Sequence, residues 1–243
     1  MSNKEIIKEV LLSALKDREL DRLVGDEELE KFTLLHEMLV KTNENMNITA
    51  ITEPHRVALL HFADSICAST YLHKGARVID VGCGGGFPCL PLAIVRGDLT
   101  FTALDSTAKK LTFVQSAADT LGLKLVTLAA RAEDTARLRN YRESFDVCVS
   151  RAVARMNILS ELCLPFVKTG GSFVALKGKN ASQELTEAEN GIEALGGAVD
   201  SLHTFNLGRG EDEAERGIIV CKKIEKCPPS YPRAFAQIKK KPL

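Results

Sequence analysis

Several absences narrow the possibilities before any motif does. The seven cysteines, at 67, 83, 89, 148, 163, 221 and 227, are odd in number and form no C-x-x-C pair, so neither a disulfide framework nor a zinc ribbon fits. Most lie in apolar runs such as Phe145-Asp146-Val147-Cys148-Val149, the setting of reduced, buried thiols in a cytosolic protein. The histidines, His36, His55, His61, His73 and His203, show no metal-ligand spacing, and no metal is expected. His61, flanked by Leu60 and Phe62, reads as a hydrogen-bonded helix residue and not as a ligand or base. Nowhere does an apolar stretch reach the ~18 residues of a membrane span, and the charged N-terminus lacks the apolar core of a signal peptide. A soluble, cytoplasmic protein without membrane contact is expected. There is no internal repeat and no low-complexity segment.

Net charge is absent too. The 32 basic and 32 acidic side chains cancel, which argues neither for nor against a polyanionic partner. Their distribution is uneven, however. Residues 1–50 hold 7 basic and 11 acidic groups, a balance of −4, whereas 222–243 hold 7 basic groups against Glu225, a balance of +6. Phosphate contacts are therefore expected towards the C-terminus.

What is present is enough hydrophobic residue, 45 % of 243, for one large α/β domain with a helical extension. Apolar stripes over 4–23 and 27–41 predict two amphipathic helices. The turn-rich stretch 43–54 ends in Pro54, suited to start a third helix running to about residue 72. From there the pattern changes. Strands are predicted at 77–81, 100–104, 124–129, 145–149 and 172–176, with helices at about 88–96, 106–121, 156–168 and 182–195. Strands alternating with helices imply a parallel, doubly wound sheet. Two last strands, near 198–206 and 216–224, are joined by a short loop and predict an antiparallel hairpin at the sheet edge. The expected architecture is an N-terminal helical extension over 1–72 and a Rossmann-like domain over 73–243.

The richest segment is Arg77-Val78-Ile79-Asp80-Val81-Gly82-Cys83-Gly84-Gly85-Gly86-Phe87-Pro88, a strand entering a glycine loop. Such a turn leaves N–H groups free for a phosphate or a carboxylate. The spacing is not G-x-G-x-x-G, since Phe87 stands sixth from Gly82 and Cys89 sixth from Gly84, and a dinucleotide site fails. No Gly-Lys-Ser/Thr follows Gly86, so a Walker A loop fails as well. The remaining pattern, D-x-G-x-G-x-G through Asp80, Gly82, Gly84 and Gly86, is typical of class I S-adenosylmethionine methyltransferases. Asp105, ending the next strand, is placed to accept ribose hydroxyls, or alternatively to cap the following helix. Ala132 and Glu133 follow the third strand on the adenine side, with a solvated charge in a helix first turn the competing reading of Glu133.

After the fourth strand stands Ser150-Arg151-Ala152-Val153-Ala154-Arg155. It is neither the Asn/Asp-Pro-Pro-Tyr/Phe element that grips an exocyclic amine nor the Pro-Cys nucleophile of cytosine C5 enzymes. Attack by a lone pair that is already free fits better, and guanine N7 is such a group.

Taken together these segments resemble the RsmG (GidB) family. The resemblance runs from about Asn43 to the C-terminus: Asn45-Met46-Asn47-Ile48-Thr49, His61-Phe62-Ala63-Asp64-Ser65, Asp80 through Pro91, Asp105-Ser106, Arg131-Ala132-Glu133, Ser150 through Ala154, Leu176-Lys177-Gly178, Tyr231-Pro232-Arg233 and Lys241-Pro242-Leu243. It implies a class I fold and transfer of a methyl group from S-adenosylmethionine to N7 of a single guanine in a conserved loop of 16S rRNA. Cofactor contacts would fall on Gly82, Phe87, Ala132, Glu133 and Arg151, with Asp105 on the ribose. Leu60 stands where the family has a basic residue, and Ala236-Gln237-Ile238 where it has Gly-Thr-Pro.

Arg151, Arg155 and Lys177 are the candidates to position the guanine. Arg155, Lys177, Arg209, Arg233, Lys239, Lys240 and Lys241 are the candidates for RNA, whereas Lys179 and Arg216 read as solvated surface charges. Because the tail follows the last core strand, it is expected to serve RNA and not the cofactor. The partner would be 16S rRNA or a small-subunit particle, and the protein a monomer. Two rival readings remain at this level: a class I enzyme for a small molecule or protein, and a non-catalytic RNA-binding assembly factor on the same scaffold.

Overall fold

The alternating β-branched runs form one seven-stranded sheet in the computed structural model, which describes residues 1–243. The strands are β1 (Arg77–Val81), β2 (Thr100–Asp105), β3 (Leu125–Ala129), β4 (Phe145–Arg151), β5 (Val167–Gly178), β6 (Gly197–Leu207) and β7 (Ala214–Lys223). Their spatial order is β3-β2-β1-β4-β5-β7-β6. The first five are parallel, and β7 inserts antiparallel between β5 and β6. Order reverses between β1 and β4, so their carboxyl ends open a crevice at a topological switch point. β1 buries four of its five residues, as a strand covered on both faces must.

The N-terminal stripes form α1 (Asn3–Lys16) and α2 (Asp26–Asn43). The third helix is less regular than its sequence: an α-helical turn Pro54–Val57, a π-helical stretch Ala58–Ala63 and a closing turn Asp64–Ile66. Two later helices are shorter than predicted. Pro165, which has no N–H to donate, turns the chain after Met156–Cys163 into a 3₁₀ turn. The 182–195 segment divides into Ala181–Thr186 and Glu189–Ala194. Beyond the predicted elements, Phe235–Lys240 is helical. Ala-Gln-Ile at 236–238 permits this turn, whereas Gly and Pro there would oppose it.

Apolar side chains of α1 and α2 join those of the sheet in one continuous buried cluster, from Ile7 and Leu11 through Phe32 and Phe62 to Phe87, Val147 and Val174. Ring centroids lie 4.9 Å apart for Phe32 and Phe62 and 6.3 Å for Phe62 and Phe87. This aromatic chain runs from α2 to the glycine loop. Phe32→Ala is expected to cost about 3–5 kcal/mol, with urea unfolding remaining a single transition. An early separate transition of the helical segment 1–72 would show that it folds as its own unit.

Candidate functional site

The glycine loop begins with β1 delivering Asp80 and Gly82 to the crevice. Gly82, at φ +73°, donates its N–H to the Leu104 carbonyl at 2.8 Å. A side chain at Gly82 would collide with Val153, so this glycine lets the loop after β4 lie directly on the loop after β1. Gly84, at φ +54°, donates to Asp105 Oδ2 at 2.9 Å, and a Cβ there would meet nothing within 4 Å. Its outer face is therefore open to the crevice. Asp105 Oδ1 accepts from Thr107 N–H at 2.8 Å, so the carboxylate ties the glycine loop to the loop after β2, just ahead of the helix Ala108–Leu121. Each oxygen retains a lone pair for another donor.

A second wall comes from before the sheet. Asn43 Oδ1 accepts from Ile48 N–H at 2.8 Å and Thr49 N–H at 3.0 Å, curling this loop until Ile48 reaches Gly85. His36 Nε2 lies 3.0 Å from the Thr52 carbonyl, which fastens the loop's far end to α2. Thr49 Oγ1 is 2.9 Å from His61 Nε2, and the His61 ring stacks on Phe87 at 4.4 Å.

The π-helical stretch explains how His61 and Leu60 reach this wall. Its wider turn changes the aim of these groups compared with an α-helix, a device common at functional sites. The Leu60 carbonyl accepts from Arg151 at 2.9 Å, and Asp64 Oδ2 accepts from the same guanidinium nitrogen at 2.8 Å. Asp64 Oδ1 accepts from Arg216 Nε at 2.8 Å. One buried carboxylate thus holds arginines from β4 and β7. Burial, followed by the positive charge of Arg151, pushes the His61 pKa down to about 4, which leaves the imidazole neutral near pH 7. Burial raises the Asp80 carboxyl to about 7, against the opposing Cys89 hydrogen bond. Its Oδ2 accepts from Cys89 N–H at 3.0 Å, while its Oδ1 is buried without a partner.

The result is a cleft of about 420 Å³ bounded by the glycine loop, Asp105, Ala132, Glu133 and Arg151. A second cleft, of about 600 Å³, adjoins it along a wall of His61, Arg151, Ala152 and Val153. Ala152 adopts φ +57°, a left-handed conformation that costs a non-glycine residue about 1 kcal/mol or more and sits where the clefts meet.

The profile of the family described as "GidB: rRNA small subunit methyltransferase G" matches residues 28–213. A Brevibacillus brevis protein named "Ribosomal RNA small subunit methyltransferase G" is 46 % identical over 221 residues, covering 90 % of this chain and 92 % of its own. The chain belongs to this family. An S-adenosylmethionine-dependent methyltransferase from Methanosarcina mazei shares the fold, with a TM-score of 0.52 at 17 % identity over 65 % of this chain and 98 % of its own. So does the C9 mutein of a branched-chain polyamine synthase of Thermus thermophilus, solved with N4-aminopropylspermidine and 5'-methylthioadenosine, with a TM-score of 0.55 at 15 % identity over 81 % and 65 %.

The cleft of this methyltransferase fits S-adenosylmethionine. The open face over Gly84 and the spare acceptor capacity of Asp105 suit a ligand carrying an amino acid end and a ribose. Of the residues expected to hold it, Gly82, Gly84, Phe87, Asp105, Ala132, Glu133 and Arg151 all line the cleft. Asp80 and Gly86 lie behind it, shaping the loop.

The expected RNA cations divide differently. Lys177 is buried, donating to Glu184 and the Ala154 carbonyl, both at 2.7 Å. Arg233 holds the buried Glu161 through two nitrogens at 2.6–3.1 Å. Both are engaged inside the fold, so a phosphate contact would first have to break a sheltered ion pair, although Lys177 also lines the second cleft. Lys223, also counted in the basic tail, is buried against Glu143 and the Leu195 carbonyl. Arg155 pairs with Glu187 at 2.5 Å and Arg209 with Asp17 at 3.6 Å, both in solvent, where such pairs exchange readily. Lys239, Lys240 and Lys241 are exposed.

Two expectations need correcting. Arg216 is no solvated surface charge, since Asp64 draws it into the second cleft's wall. Nor is the tail remote from the cofactor site, because Phe235 lines that cleft beside Leu162. Sequence reasoning passed over Ile48, Thr49, Val153, Leu162 and Phe235 as lining residues. Ile48, Thr49 and Val153 lie inside the motifs of the resemblance without an assigned role, and Phe235 is one of two aromatics in the basic tail.

Gly84→Asp tests the cleft. Asp tolerates positive φ and meets no neighbour at this position, so the variant should fold while placing negative charge in the methionine end. Calorimetric affinity for S-adenosylmethionine should fall at least tenfold, and unchanged affinity in a folded variant would refute the assignment. The pKa directions give a second expectation. Burial holds the Asp80 carboxyl protonated up to about 7, above an unfolded carboxylate at about 4, so the stability of the ligand-free protein should fall as pH rises from about 4 through about 7, and Asp80→Asn should remove that dependence. A dependence that instead disappeared with His61→Gln would contradict the neutral histidine.

Proposed function

We propose that this enzyme methylates N7 of one guanine in a loop of 16S rRNA, in the cytoplasm, with naked rRNA or a small-subunit particle as substrate. The observation that carries this is the pair of adjoining clefts. Their common wall of His61, Arg151, Ala152 and Val153 supports a guest in the second cleft lying against the end of the first that Arg151 borders. Lined by Arg151, Arg155 and Arg216, the second cleft favours an electron-rich guest with phosphate nearby.

Bound S-adenosylmethionine supplies a methyl group already activated on a sulfonium. The protein then has to bind, align and exclude water, a proximity effect worth up to roughly 7–11 kcal/mol. Guanine N7 carries no proton at neutral pH, so none need be removed. The titratable groups on the common wall agree with this: His61 is neutral, with Nε2 engaged by Thr49 and Nδ1 facing the Leu60 carbonyl and Arg151. Arg151, fixed by Asp64 and Leu60, orients the guest and does not exchange protons. In A-form RNA the edge bearing N7 lies in a deep, narrow groove closed to side chains, so the target must be a loop base or one flipped out of its stack.

Methyl transfer from labelled cofactor to 16S rRNA and to small-subunit particles tests this reading. Substituting 7-deazaguanine throughout the transcript should abolish incorporation, and undiminished labelling would overturn N7 as the acceptor. The exposed tail lysines are expected to meet phosphates. Replacing Lys239, Lys240 and Lys241 with Ala should weaken RNA binding and reduce the slope of log affinity against log salt, by ~0.7 for every phosphate of a single strand that is no longer neutralised. A parental slope would assign the phosphate contacts to Arg155 and Arg209.

A further inference from the structure

We infer that Phe235, from the C-terminal tail, is a cofactor-binding residue that closes the adenine end of the cleft. The two ends of that cleft differ in chemistry. Around the glycine loop Thr49, His61 and Arg151 stand beside Ile48 and Phe87, whereas beyond Asp105 the apolar side chains of Leu104, Ala130, Leu162 and Phe235 are bordered by charged Arg131 and Glu133. A purine presents two apolar faces and a polar edge, so it belongs at this second end. Ala132 and Glu133 border it from the β3 side and Leu162 from the helix after β4. Phe235 supplies the only aromatic ring there.

That ring is conspicuous in the protein alone. It remains 38 % exposed, among the few large apolar side chains left to solvent, and it joins none of the aromatic pairs of the fold. A phenyl group on a cleft rim without a partner gains most when a flat apolar ligand covers it.

The tail that carries Phe235 is also held in place. Arg142 donates to the carbonyls of Cys227, Pro228 and Tyr231 at 2.8–3.1 Å. Two residues before Phe235, the Arg233 backbone N–H and guanidinium both bind Glu161, whose side chain is wholly buried. Three residues after it, Ile238 is wholly buried in the core. Phe235 is thus fixed from both sides and presented to the cleft at little entropic cost. A loose tail end would place its aromatic ring nowhere in particular. This segment is built against the helix after β4, whose Leu162 lines the same end of the cleft.

The expected signature is selective for the adenine half. Phe235→Ala should weaken S-adenosylhomocysteine and adenosine alike by about tenfold, on the order of one base–aromatic stack, without lowering the melting temperature of the ligand-free protein. Because the chain contains no tryptophan, Phe235→Trp creates a single tryptophan at the site, which can be excited apart from the three tyrosines. It should retain affinity, and its emission should change saturably with S-adenosylhomocysteine at the dissociation constant that calorimetry gives. Wild-type affinity for both ligands in Phe235→Ala would overturn the inference. So would an unresponsive tryptophan in a Phe235→Trp protein that binds the ligand. A wild-type protein that bound no S-adenosylhomocysteine would overturn the reading of the cleft itself, and this inference with it.

Discussion

Asp64 is the group on which the site depends. Its carboxylate has a side-chain exposure of 9 % and accepts from Arg151 and Arg216, each at 2.8 Å. These three residues come from the helical run before the sheet, the end of β4 and the start of β7, so one anion joins the N-terminal segment to both sides of β5. Two cations against one anion leave the wall net positive, which suits a site facing RNA. Removing one partner from such a sheltered pair costs about 3–5 kcal/mol because the others are stranded. The Asp64 contacts therefore fix the guanidinium of Arg151, and Arg151 in turn lies 5.5 Å over the Phe87 ring. Phe87 stacks on His61 and His61 meets Thr49, so both clefts take their shape from this one carboxylate and the groups it holds.

The local parts of this arrangement were legible in the sequence. Strand β1 has the predicted bounds because four consecutive apolar or motif residues between a charge and a glycine leave no other period to choose. The glycine loop was legible because its demand is steric, Gly82 having to admit Val153 and Gly84 having to leave an open face. The edge hairpin followed from a loop too short for a crossover.

The misread features were all tertiary. Hydrophobic spacing over 54–66 reads as helix but does not distinguish α from π, since the extra residue per turn is stabilised by what Leu60, His61 and Asp64 bind, not by their own periodicity. Charge summation over 222–243 gave +6, yet it could not show that Lys223 and Arg233 would each meet a buried carboxylate. The ion pair of Lys177 was hidden for the same reason, with Glu184 only seven residues away but on a helix whose packing sets the distance. In each case the net charge was correct and the partner was not visible.

The shared fold does not decide the chemistry, since the polyamine synthase carries a similar sheet. What distinguishes the cleft here is supplied from outside the strands. Ile48, Thr49 and His61 precede β1 and close the methionine end, while Phe235 follows β7 and closes the other. The family profile spans 28–213, so the first closure lies inside the matched segment and the second outside it. The two ends of one ligand are thus gripped by segments that precede and follow the sheet. The methionine end must hold the reacting group against the second cleft, which ties Thr49, His61 and Arg151 to the reaction geometry. The adenine end has only to bind, and many apolar surfaces do that equally well. A tail that forms a helical turn and presents an aromatic ring is one such solution, available wherever the residues after Arg233 permit a helix.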